Sequence, residues 1–131
     1  MADSVDWILE DFGDALERLR EALDKPVEQD LLKAGCIQYF EFCFELAWKS
    51  IKMVSALVGL PECLSPKACL RQAFSQGWLA DEEIGLEMLN ARNRMSHTYD
   101  ARKALEIYER LPTFHAEMVS LLEQLCMAAK R

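Results

Sequence analysis

The stretch QYFEFCFELAWKSIK, residues 38 to 52, restricts this chain more than any other. Its polar residues fall at 38, 41, 45, 49 and 52, with Ser50 as the exception. Steps of three and four set Gln38, Glu41, Glu45, Lys49 and Lys52 along one stripe of a helix. Around that stripe stand Ile37, Tyr39, Phe40, Phe42, Cys43, Phe44, Leu46, Trp48 and Ile51. A helix greasy on about three sides must be covered by other helices, so it is either central in a bundle or shared with a second subunit.

The rest of the chain supplies the cover. Glycine (five) and proline (four) are scarce, and no window alternates with the period of a strand. Val5, Ile8, Phe12, Ala15, Leu19 and Ala22 repeat at three and four, predicting a first helix over about Val5 to Leu23 with Asp3 or Ser4 as its cap. Pro26 closes it, and the central helix follows from about Glu28 to Val58. Ser65 before Pro66 is a helix start, and Gly77 suits the left-handed residue after that helix. Asp81 caps a fourth helix carrying Ile84, Met88, Leu89 and Met95, and Asp100 a fifth with a stripe from Ala104 through Leu111, His115 and Leu122 to Ala129. Pro112 is expected to kink the fifth helix. The expected fold is all-α, a mostly antiparallel bundle of about five helices.

The chain of 131 residues is read as one domain over residues 1 to 131, able to bury roughly two-thirds of its surface. Apolar stretches break well before the ~18 residues of a membrane span, and the N-terminus lacks the basic and apolar blocks of a secretory signal. A cytoplasmic location is expected. Cys36, Cys43, Cys63, Cys69 and Cys126 form no CxxC pair and are odd in number, so buried reduced thiols are expected and a zinc site is not. A net charge of -7 argues against tight duplex DNA binding, which needs many phosphate contacts.

Against that acidic background one stretch is basic. Residues 91 to 103 hold Arg92, Arg94, Arg102 and Lys103 against Asp100 alone, a net +3 before His97 is counted. Guanidinium matches phosphate oxygens bidentately at any cellular pH, and imidazole gives or takes a proton near neutrality. Metal-free RNA cleavage needs both: one group moves the proton of the 2'-hydroxyl or of the 5'-oxygen, and a fixed cation stabilises the phosphorane. On an ideal helix Arg92 and His97 lie about 140° apart, so either the helix ends near Ser96 or a complete site forms across a symmetric dimer. Arg92 and Arg94 diverge by the same geometry. From composition alone, basic residues near a helix C-terminus also have a plain structural reading, since they favour the macrodipole.

Arg92-Asn93-x-x-x-His97-x-Tyr99 matches the R-x4-6-H motif of the HEPN superfamily. Together with residues 38–52, 64–81 and 86–100, the chain resembles the nucleotidyltransferase substrate-binding family of small HEPN proteins. The resemblance implies an all-helical homodimer that assembles with a minimal nucleotidyltransferase (MNT). It also implies a toxin-type, metal-independent endoribonuclease acting on RNA and restrained by that partner. In this reading Arg92 and His97 are catalytic, Asn93 orients the histidine or a phosphate, and Tyr99 is the position that partners of related pairs modify with AMP. The older family label implies instead a non-catalytic subunit that binds the substrate of the transferase, with RNA or a nucleotide as its ligand. Arg94 departs from the family, where an apolar residue is commoner.

Glu41 and Glu45 share a face and are supporting candidates able to orient Arg92 or His97, with Arg94 as a third. Their plainer reading is a solvated stripe in which Glu45 and Lys49 pair. His115, on the apolar stripe of the last helix, reads as structural. The chain has no acidic constellation of a nucleotidyltransferase and no Gly-rich phosphate loop, so no cofactor or metal is expected.

Overall fold

The computed structural model describes residues 2–25, 30–95 and 101–130. Five helices follow in order: α1 (Ala2–Leu23), α2 (Asp30–Leu57), α3 (Pro66–Ser75), α4 (Glu82–Met95) and α5 (Ala101–Ala129). The all-α bundle expected from the apolar spacing is what forms. Helix α1 begins a turn earlier than its apolar repeat predicts, so positions 3 and 4 lie inside it and do not cap it. An apolar repeat marks only the packed face, whereas carboxylates in a first turn favour helix through the macrodipole.

Cross-contacts fix the directions. His115 Nε2 lies 3.0 Å from the Leu16 carbonyl oxygen, and a Cβ on Gly13 would meet Leu122. Helix α1 therefore runs antiparallel to α5, and its end meets the start of α2, where Cys36 Sγ approaches the Ala22 carbonyl at 3.9 Å. His115 is structural, as its stripe implied. Helices α2 and α5 run the same way, since Lys33 faces Tyr108 and Phe40 faces Phe114. That parallel pair requires a long return, which α3 and α4 provide.

Helix α2 touches all four others. Its inner face buries Phe40, Phe44, Ile51 and Val54 completely, beside Phe12, Leu19, Phe114 and Met118. Each such side chain contributes about 1.5–3 kcal/mol relative to exposure. The Phe40 ring lies 6.2 Å from Phe44 and 5.2 Å from Phe114, tying α2 to α5.

The helix ends obey local chemistry. Ser65 Oγ accepts from the Ala68 N–H at 3.2 Å with Pro66 in the first turn, and Gly77 takes φ 79° after α3. Asp81 Oδ1 accepts from the Ile84 N–H at 3.2 Å, and its own N–H donates to Glu117 at 2.8 Å, which sets the start of α4 against α5. An Asp81→Ala variant is expected to lose about 1 kcal/mol in urea unfolding; an unchanged midpoint would deny the cap any weight. The cap expected at Asp100 lies outside the described residues. Helix α5 continues through Pro112 as one element. Pro112 is exposed, so water can reach the Tyr108 carbonyl to which it donates nothing.

Two cysteines depart from the expected reduced state: Cys63 and Cys69 form a disulfide, with Cα atoms 5.1 Å apart. The turn at Ser65 and Pro66 brings the first turns of α3 back onto the preceding loop, a closeness that spacing in sequence does not reveal. Cys36, Cys43 and Cys126 are free. Burial pushes the Cys43 thiol up to about 12, so it stays protonated. Among the described residues no helix is long and apolar enough to cross a membrane.

Candidate functional site

Arg92 stands in the last turn of α4, where a cation favours the helix dipole. Its Nη2 donates to Glu45 Oε1 on α2. Its other terminal nitrogen, Nη1, lies 3.3 Å from the Asn93 side-chain oxygen, and the guanidinium sits 6.0 Å from the centroid of the Phe44 ring. The far side of Glu45 is held as well: Oε2 accepts from Trp48 Nε1 at 3.1 Å, with Lys49 Nζ at 3.9 Å. The carboxylate thus divides its two oxygens between a fixed indole and the arginine.

This arrangement follows from the periodicity of α2. Phe44 points into the core, while Glu41, Glu45 and Trp48 lie at steps of four and three on the flank that faces α4. Arg92 and Glu45 remain about one-third exposed, at 30% and 33% of side-chain area. A pair that open adds little to stability, at most about 1 kcal/mol. What it does is hold a cation in one orientation at a surface that a ligand can reach.

Glu41 lies one turn back along α2. Burial raises its pKa above the ordinary carboxylate value, and the charge of Arg92 opposes that rise. A carboxyl whose folded pKa is raised lowers stability once ionised: the penalty is absent below the unfolded pKa and fully present above the folded one. Glu41→Gln is therefore expected to be more stable than wild type at neutral pH, with the gap closing in acid below the ordinary carboxylate range. Denaturant melts at both pH values check this, and a gap that widens in acid would contradict it.

Arg94 does not join the cluster. It lines a separate groove of about 350 Å³ between α4 and α5, beside Glu87 and Arg110, which pair at 2.6 Å. The divergence of Arg92 and Arg94 inferred from helical geometry is realised. His97 and Tyr99 lie outside the described residues. Phe44 is core, as the apolar side of α2 implied, and its ring also lies under the Arg92 guanidinium; the Trp48 donor to Glu45 was not foreseen, although the three-residue step between them was a usable signal. Among the described residues no group of three His, Cys, Asp or Glu side chains is placed to hold a metal.

Residues 8–127 match the family described as nucleotidyltransferase substrate binding protein like. The chain belongs to that family. It is 36% identical over 103 residues to a protein named probable ribonuclease HepT from Haemophilus influenzae, covering 76% of this chain and 70% of the relative. A crystal structure from Thermus thermophilus superposes with a TM-score of 0.78 at 30% identity, covering 92% of this chain and 99% of the other. A Haemophilus influenzae structure, described as revealing the fold of a substrate binding domain of a nucleotidyltransferase, superposes with a TM-score of 0.68. It is 28% identical and covers 96% and 99% of the two chains. The HEPN resemblance carried by residues 38–52, 64–81 and 86–100 is thus upheld across nearly the whole chain.

Proposed function

We propose that the protein is a toxin-type, metal-independent endoribonuclease that works as a homodimer and is restrained by a minimal nucleotidyltransferase. The observation that carries this reading is the placement of Arg92, a cation pinned by Glu45 at an accessible helix end five residues before His97. His97 takes the proton of the attacking 2'-hydroxyl or protonates the leaving 5'-oxygen. Arg92 neutralises charge as the phosphorane forms, and Asn93 orients the histidine or a phosphate. Tyr99 is the regulated position: AMP attached to its phenol would add an anionic phosphate that competes with the RNA phosphate for the cation of Arg92.

The homodimer is supported by α2, which keeps Tyr39 and Phe42 exposed at 41% and 54% on one flank. Aromatics three residues apart on an open helix face make a patch that a second subunit covers. Light scattering at micromolar concentration is expected to give twice the chain mass, and a monomer mass would refute the dimer.

Glu45 is a positioning residue in this reading. Glu45→Gln keeps a Trp48 acceptor but loses the charge that holds Arg92. It is expected to lower kcat for RNA cleavage by roughly 10- to 100-fold with little change in KM. An equal loss in every parameter that tracks loss of folded protein would reduce it to a structural role.

The family description, nucleotidyltransferase substrate binding protein like, supports a second reading, a non-catalytic subunit that presents a substrate or itself to the transferase. Expression of the chain alone separates the two. The nuclease reading expects impaired growth that His97→Ala relieves. The binding reading expects harmless expression and a nucleotide or RNA affinity that survives His97→Ala but fails with Arg92→Ala. Intact mass spectrometry after co-expression with the transferase tests the regulation: an AMP-sized adduct lost in Tyr99→Phe supports it, and a stable unmodified complex argues for the binding subunit.

A further inference from the structure

Beside the Arg92–Glu45 pair a groove of about 630 Å³ opens between the first half of α2, the end of α4 and the start of α5. That volume falls in the range of small-molecule pockets. Its walls are Ala34 and Ile37 from α2 and Leu105 from α5, and its polar groups are Lys33, Gln38, Glu41 and Arg102. Lys33 Nζ lies 5.5 Å from the centroid of the Tyr108 ring, which holds that ammonium near the groove. Glu41 joins the two places, since it lines the groove and feels the charge of Arg92.

We propose that this groove is a base-recognition subsite for a ribonucleotide, with Glu41 and Gln38 reading the base edge and Lys33 and Arg102 holding the phosphate. The apolar side chains of Ala34, Ile37 and Leu105 can cover the face of a base, and Lys33 and Arg102 in the same groove can take the anion that accompanies it. Gln38 and Glu41 are one helical step apart and act on the same edge. Glu41 is an acceptor, so it pairs with the exocyclic amine of adenine, cytosine or guanine. Uracil has no such amine and leaves the half-buried carboxylate facing a carbonyl oxygen. The subsite selects amino-bearing bases against uracil, at a position adjoining the phosphate that Arg92 binds. This inference rests on the RNA-cleaving reading for its place in a reaction, while its binding claim stands apart from cleavage.

The test uses the full chain and 2'-O-methyl tetranucleotides of A, C and U, which lack the attacking hydroxyl and cannot be cut. Fluorescence anisotropy at fixed salt is expected to show the A and C oligomers binding about tenfold tighter than U. Glu41→Gln should narrow that preference to under about threefold, because its amide both donates and accepts. Ala34→Trp, which fills the groove from an exposed position, should weaken the A and C oligomers by about tenfold or more while circular dichroism stays unchanged. Equal binding of all three oligomers by wild type overturns the proposal, as does an Ala34→Trp protein that binds like wild type. Competition separates the sources of the ligand: displacement by oligomer and not by ATP or CTP assigns the groove to an RNA strand, and displacement by either nucleotide assigns it to the free form. Growth relief by His97→Ala reports on cleavage alone, so base-blind binding beside His97-dependent toxicity removes only the subsite.

Discussion

A His97→Ala protein is expected to cleave RNA about 10²–10⁴-fold more slowly than wild type, the usual worth of a positioned acid or base. Arg92→Ala should cost about 10²–10³-fold, because a preorganised cation is missing where charge develops. The double variant should fall little below the worse single one, since the two groups act on one transition state. The folding control is built into the structure. Arg92 and Glu45 are each about one-third exposed, at 30% and 33% of side-chain area, so loss of that ion pair by itself should cost at most about 1 kcal/mol of unfolding free energy. Single-turnover cleavage of a labelled RNA measures these ratios. Rates within about threefold of wild type for both variants would remove them from the chemistry.

Phe40→Ala is the second large effect. Phe40 is fully buried and packs against both Phe44 and Phe114, so truncation empties the seam between α2 and α5. The expected loss is about 3–5 kcal/mol, a large share of the roughly 5–15 kcal/mol that holds a domain of this kind together. Urea unfolding should show it as a lower midpoint at unchanged slope. A loss under about 1 kcal/mol would mean that the seam refills and that α2 is not the central strut. The same variant should lose cleavage only in proportion to unfolded protein, in contrast to His97→Ala.

What could be read beforehand depended on whether a residue's role is local or spatial. The stripe at 38, 41, 45, 49 and 52 made α2 legible because its period is a property of the helix itself. The caps at Ser65 and Asp81 and the left-handed Gly77 were legible for the same reason, since each acts within a turn or so of its own position. The Cys63–Cys69 bond was not, because it depends on how a loop folds over α3. At the site, the separation of Arg92 from Arg94 followed from about 3.6 residues per turn. The choice of Glu45 over Glu41 as the partner of Arg92 did not follow, because it is set by how far α4 slides along α2. The groove beside them unites residues 33 to 41 with 95 to 105 and exists only in the packed bundle.

Purified wild-type chain, prepared alone and incubated with RNA in excess EDTA, decides between cleavage and mere binding. Defined fragments that carry 2',3'-cyclic phosphate ends are expected, since an attacking 2'-hydroxyl leaves that product, and none with His97→Ala. Intact RNA under the same conditions, from a chain whose mass shows no modification at Tyr99, would contradict metal-independent cleavage and leave the nucleotide-binding subunit as the better description.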